Sequence, residues 1–167
     1  TAYGAVWRCG RGLFGQQCNG DQQSQLLPKK IEAFAGQRVV AVSAGAFHSL
    51  ALTAGGAVWS WGYGGLGELG HGDQQSQLLP KKIEDLAGQR VVAVSAAQCH
   101  SLALTADATV WSWGWGRSGR LGQGAEEHQW QPKNMEAFAG QRVVAVAAGR
   151  NHSLALTADG ALWSWGI

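Results

Sequence analysis

The stretch "SWGYGGLGELGHGD", Ser60 to Asp73, places Gly62-x-Gly64-x-x-Gly67 directly after an apolar, aromatic run. Read alone, a G-x-G-x-x-G behind a strand opens a dinucleotide-binding fingerprint, in which glycines let the backbone approach a pyrophosphate at a helix N-terminus. That motif needs a helix at its last glycine. Here Gly70 and Gly72 follow, then "DQQSQLLP", with no helical apolar period and no GK[ST] for a phosphate loop.

Working outward, the pattern recurs. Gly10 to Gly15 and Gly114 to Gly119 carry the same glycine spacing, and Trp7, Trp59, Trp111 and Trp163 fall 52 residues apart without a gap. The same step relates His48, His100 and His152, each in "HSLALT", and Pro28, Pro80 and Pro132. Three units run 4–55, 56–107 and 108–159, and a fourth opens at 160–167, where "TADGALW" echoes the initial "TAYGAVW". Three dinucleotide sites in 167 residues are implausible, so the glycines are read as positive-φ turns between strands.

Each unit is a set of strands. "RVVAVSA" (38–44) is β-branched and apolar, "HSLALT" alternates with Leu50 and Leu52 on one face, and "AVWSWG" alternates with Trp59 and Trp61 on one face. The last two are joined by "AGG", "ADA" or "ADG", linkers that suit a hairpin. A fourth short strand is expected around "PKKIE", with Pro at its first position, where no ladder donor is needed. Four short antiparallel strands in tandem units of this length define an all-β chain of β-propeller blades.

Composition sets outer limits. With 46% hydrophobic and 14% charged residues the chain can bury a core, and a net charge of +2 with scattered Lys and Arg gives no footprint for nucleic acid. Cys9, Cys18 and Cys99 are odd in number and lack C-x-x-C spacing, which favours a reducing intracellular compartment, cytoplasm or nucleus. No apolar run approaches a membrane span, so no membrane insertion is expected; no metal or cofactor site is expected either.

The pattern "VWSWGxGxxGxLGxGD…LPKKIE…AGQRVVAVSAGxxHSLALTADG" resembles the regulator of chromosome condensation 1 (RCC1) repeat across the whole chain. The resemblance implies a seven-bladed propeller with blades offset from the sequence repeat, of which this chain holds about three. It also implies the family's roles: guanine-nucleotide exchange on a small GTPase, ultraviolet-B sensing in a plant receptor, and service as a propeller module in large ubiquitin ligases of the HERC type. Exchange rests on inserted, non-repeated loops, and the unbroken period leaves no insertion. Light sensing uses tryptophan in "GWRHT" motifs, and the matching positions here are Gly45-Ala46-Phe47-His48-Ser49, Ala97-Gln98-Cys99-His100-Ser101 and Gly149-Arg150-Asn151-His152-Ser153. Three blades cannot close a ring, so the end faces are expected to be covered by further blades of a longer chain or by the end strands of another copy.

Residues present in every unit answer the packing problem that every blade shares. The repeated histidines are read as structural groups bonded beside the next strand, and the VWSW tryptophans as core. Function is sought where units differ. The third unit reads "GWGRSGRLGQGAEEHQWQPKNME", with Trp115 in place of Tyr63, Trp130 in place of Leu78, and Ala125-Glu126-Glu127-His128 in place of Asp73-Gln-Gln-Ser. Trp115, Arg117, Arg120 and Trp130 form the candidate protein-contact patch, with Glu126, Glu127 and His128 beside it. No nucleophile, base or second carboxylate cluster completes a catalytic site, so a non-enzymatic interaction scaffold is the expected function.

Overall fold

A computed structural model describes residues 4–17 and 20–167. Cys18 and the first three residues of the "TAYGAVW" echo lie outside the described residues.

Among the described residues thirteen strands form four antiparallel sheets. Strands β3 (Val39–Ala44), β4 (His48–Thr53), β5 (Val58–Gly62) and β6 (Gln77–Lys82) make one four-stranded meander. Its successor contains β7 (Val91–Ala96), β8 (His100–Thr105), β9 (Val110–Gly114) and β10 (Gln129–Asn134). Ahead of them β1 (Trp7–Gly10) pairs β2 (Gln25–Lys30), and after them come β11 (Val143–Ala148), β12 (His152–Thr157) and β13 (Leu162–Gly166). Each complete sheet crosses a boundary of the sequence units, because the strand opening with "VWSW" pairs with "HSLALT" of the preceding unit. Helical structure among the described residues is confined to single 3-10 turns, and no helix is long and apolar enough to cross a membrane.

The innermost strands β3, β7 and β11 lie side by side, which stacks the sheets radially as propeller blades. The sequence alternation explains the seams between them. Leu50 and Leu52 on one face of β4, with Val58, meet Ile83 and Leu86 of the connection after β6 and Val91, Ala103 and Trp113 of the next blade. Leu104 and Val110 meet Met135, Phe138, Val143 and Ala155 in the same way. Large aliphatic residues on one face thus fill the space left by alanine on the facing strand, the complementarity that close packing demands.

Two expectations need correction. Pro28, Pro80 and Pro132 sit inside their strands rather than first in them. They fall where the register slips, as between Ser60↔Lys81 and Gly62↔Gln77, so a bulge on an edge strand accommodates the missing donor. The VWSW pairs are not uniformly core. Trp113 is wholly buried and Trp61 nearly so, whereas Trp59 and Trp111 are half-buried and Trp163, on the last sheet, is 44% exposed.

The glycine pattern serves two ends. Gly62 and Gly67 have φ of 106° and 80°, which favour glycine. Gly64 instead permits close approach, since a Cβ there would lie 2.3 Å from the Gln75 carbonyl oxygen.

Candidate functional site

The loops that follow β1, β5 and β9 each tuck one residue, Gln16, Glu68 or Arg120, beneath the next blade. The backbone carbonyl of that residue accepts an indole hydrogen bond: Trp61 Nε1 donates to Gln16 O at 3.0 Å, Trp113 Nε1 to Glu68 O at 2.9 Å, and Trp165 Nε1 to Arg120 O at 2.9 Å. In the two later seams a serine hydroxyl joins it, Ser101 on Glu68 O and Ser153 on Arg120 O, both at 2.9 Å. Each serine also meets the repeated histidine of the preceding blade, His48 Nε2 to Ser101 Oγ at 2.8 Å and His100 Nε2 to Ser153 Oγ at 2.9 Å. Burial depresses the pKa of His48 to about 4 and that of His100 to about 3. These histidines are neutral seam clips rather than metal ligands. His152 has no following blade over it and is exposed.

On this repeated base the third loop diverges. Ser118 of this loop has φ 63°, a left-handed conformation that the matching Phe14 and Leu66 of the earlier loops do not adopt. Trp115 is half-buried, with the Arg120 guanidinium 4.7 Å and the Arg117 guanidinium 5.8 Å from its ring centroid, within cation–π range. His128 lies 6.4 Å from the same ring, and its Nδ1 accepts the Gly116 N–H at 3.1 Å. Ser24 and Ser76 accept the matching glycine N–H in the other loops, so His128 inherits a loop-closing role.

The structure therefore brings Trp115, Arg117, Arg120 and His128 together. Arg117, Glu126, Glu127 and His128 are exposed. Trp130 belongs to the same end of the blade, but its ring turns to the preceding blade, where a Cβ on Gly67 would come within 2.7 Å of it. Leu78 covers Gly15 in the same manner, and the Trp130 ring remains 45% exposed. Arg120 departs from the expectation of a surface contact. It is 3% exposed, with Nε donating to Arg117 O at 2.8 Å and Nη1 to Asn151 Oδ1 at 3.0 Å. It holds Trp115 from below.

Sequence reasoning missed two further groups. Glu68, the counterpart of Arg120, is fully buried, and burial raises its pKa to about 7 although Oε2 accepts the Leu66 N–H at 2.9 Å. Its Oε1 has no partner among the described residues. Cys99 is buried in the same seam, its thiol pushed up by burial and by the Glu68 charge. The signal in the sequence is the column Gln16, Glu68, Arg120, polar in each unit although it falls at a seam.

Inter-blade seams repeated around an axis of inner strands define a β-propeller segment. The chain belongs to the regulator of chromosome condensation (RCC1) repeat family, whose model matches residues 3–52, 55–104 and 107–156. It is 42% identical over 99% of its length to the human E3 ubiquitin-protein ligase HERC2, of which it covers 4%. To the ultraviolet-B receptor UVR8 of Arabidopsis thaliana it is 35% identical over 99%, covering 38% of that protein. Among solved structures, human WBSCR16 superposes with a TM-score of 0.87 at 28% identity, over 99% of this chain and 43% of that one. Prp20p of Saccharomyces cerevisiae superposes at 0.83 with 26% identity, over the whole of this chain and 42% of that one. The chain thus spans less than half the length of these relatives.

Proposed function

We propose that this propeller segment is a non-enzymatic protein-interaction scaffold, and that the divergent third loop is its contact surface. The observation that carries the reading is the contrast between copies. The two later seams repeat bond for bond, whereas the loop at the third seam changes to the half-buried Trp115 and the exposed Arg117, Glu126, Glu127, His128 and Trp130, with Ser118 in a left-handed conformation. Rigid sheets beneath a variable loop confine change to the surface without cost to the core. Tryptophan and arginine on such a loop are the residue types that dominate interface energies. The end faces are covered in this reading by further RCC1-type blades or by the end strands of another copy.

The test is substitution. Trp115→Ala or Trp130→Ala leaves the fold nearly intact and weakens binding of a copurifying protein partner; retention of that partner by both variants removes the patch.

A second reading is guanine-nucleotide exchange on a small GTPase. It is favoured by the likeness to Prp20p, a protein whose structure was described together with its binding to Gsp1p and histones. Accelerated release of a labelled guanine nucleotide from a GTPase supports exchange, and an unchanged release rate supports the scaffold.

A further inference from the structure

We propose that the partner of the Trp115 corner is an acidic protein segment carrying an apolar side chain, a conclusion that rests on the third-loop patch being the contact surface. The observation behind it is an uncompensated positive charge. Arg120 is buried to 3% exposure, and its partners among the described residues are the Arg117 and Arg150 carbonyl oxygens, the Asn151 side-chain oxygen and the face of Trp115. None is a carboxylate. A guanidinium removed from water without a counter-charge leaves an unscreened positive potential.

Two more arginines share that corner. Arg117 is exposed, with its guanidinium over the Trp115 ring at 5.8 Å from the centroid. Arg150, also exposed, uses Nε to bind Gln98 Oε1 at 2.8 Å and, among the described residues, is the only charged one bordering the shallow depression where the three inner strands end. Among the described residues the ion pairs are Lys30–Glu32 and Lys82–Glu84, neither of which involves these arginines. Arg117 and Arg150 therefore offer free guanidinium edges suited to paired hydrogen bonds with carboxylates, and the half-buried Trp115 ring supplies the apolar wall.

Glu126 and Glu127 on the facing arm of the loop set the limit of the positive field. They disfavour an extended polyanion such as nucleic acid, which needs a basic stripe rather than a corner, and they restrict an acidic ligand to the arginine side.

The probe is a short fluorescein-labelled peptide of glutamates around one central leucine, titrated into the full chain and followed by anisotropy. Binding is expected, weakened by added salt, weakened about ten-fold or more by combined Arg117→Glu and Arg150→Glu, and tightened by combined Glu126→Gln and Glu127→Gln. The glutamate changes carry the sign of the ligand, since a basic ligand responds to them in the opposite direction. Three results overturn the proposal: no binding of the glutamate peptide, equal binding of its glutamine counterpart, or tighter binding of single-stranded DNA than of the peptide. Loss of the copurifying partner in Trp115→Ala, with no displacement of that partner by the glutamate peptide, retains the patch and rejects the acidic chemistry. A copurifying partner indifferent to both Trp115→Ala and Trp130→Ala rejects the patch itself.

Discussion

Replacement of Trp113 by alanine is the sharpest test of how the blades are held together. The indole is wholly buried in the seam with Leu50, Leu52, Ile83 and Leu86, and its Nε1 donates to the Glu68 carbonyl at 2.9 Å. Truncating a buried tryptophan costs about 3–5 kcal/mol. Loss of the indole bond adds about 1 kcal/mol, a moderate sum because Ser101 Oγ still serves the Glu68 carbonyl. The expected destabilisation is therefore roughly 4–6 kcal/mol. Trp113→Phe keeps most of the ring and loses the donor, so it falls between wild type and alanine. Trp163→Ala, at a tryptophan 44% exposed on the last sheet, serves as the control and costs on the order of 1 kcal/mol. Urea denaturation followed by both circular dichroism and tryptophan fluorescence gives the ranking and checks that the two probes coincide. Equal costs at Trp113 and Trp163 would refute the assignment of the seams as the seat of stability.

Two other outcomes follow from the seam chemistry. His48 and His100 are held neutral with pKa values near 4 and 3 in the folded chain, against about 6.5 when unfolded. Between those values the unfolded chain binds the protons that the folded chain refuses. Stability therefore falls as pH drops below about 6.5, by on the order of 3 kcal/mol for His48 alone by pH 4, and His48→Gln flattens that part of the denaturation profile. Glu68 acts in the opposite direction: with its pKa raised to about 7, the folded chain holds a proton that the unfolded chain loses, so its contribution declines as pH rises from about 4.5 to 7. Glu68→Gln keeps an acceptor for the Leu66 N–H and raises the urea midpoint at pH 8, where the buried carboxyl carries its charge, while leaving it nearly unchanged at pH 4; a lowered midpoint at pH 8 contradicts a carboxyl whose pKa burial raises to about 7.

Much of this was legible in the residues, for reasons that are local. Strand order follows from period-two alternation in "HSLALT" and "VWSWG", and the exclusion of a nucleotide site follows from the threefold recurrence of its glycines. The bonded roles of His48 and His100 were also legible, because a residue kept in every unit must serve contacts that every unit makes. The unequal burial of the two tryptophans in each pair was not legible. Both point to one face of the strand, and only the seam distinguishes Trp113, which reaches the carbonyl of the tucked loop residue, from Trp111, whose indole nitrogen finds no partner among the described residues. Arg120 misled for a related reason. Beside Arg117 in a polar, glycine-rich loop it reads as solvated, yet its position in the column of Gln16 and Glu68 carries it under the next blade.

The central claim is that function lies where the third loop departs from its neighbours, and matched crosslinking tests it most directly. Glu127 and Gln75 occupy the same place in consecutive loops, each carbonyl lying against the backbone of the paired glycine, Gly116 or Gly64, and both are exposed. A photo-crosslinking amino acid is placed at one or the other in the full chain, in cells, and the adducts are identified by mass. The account predicts a discrete protein adduct from position 127 and none from position 75. Equal capture at both positions, or capture at 75 alone, would contradict it.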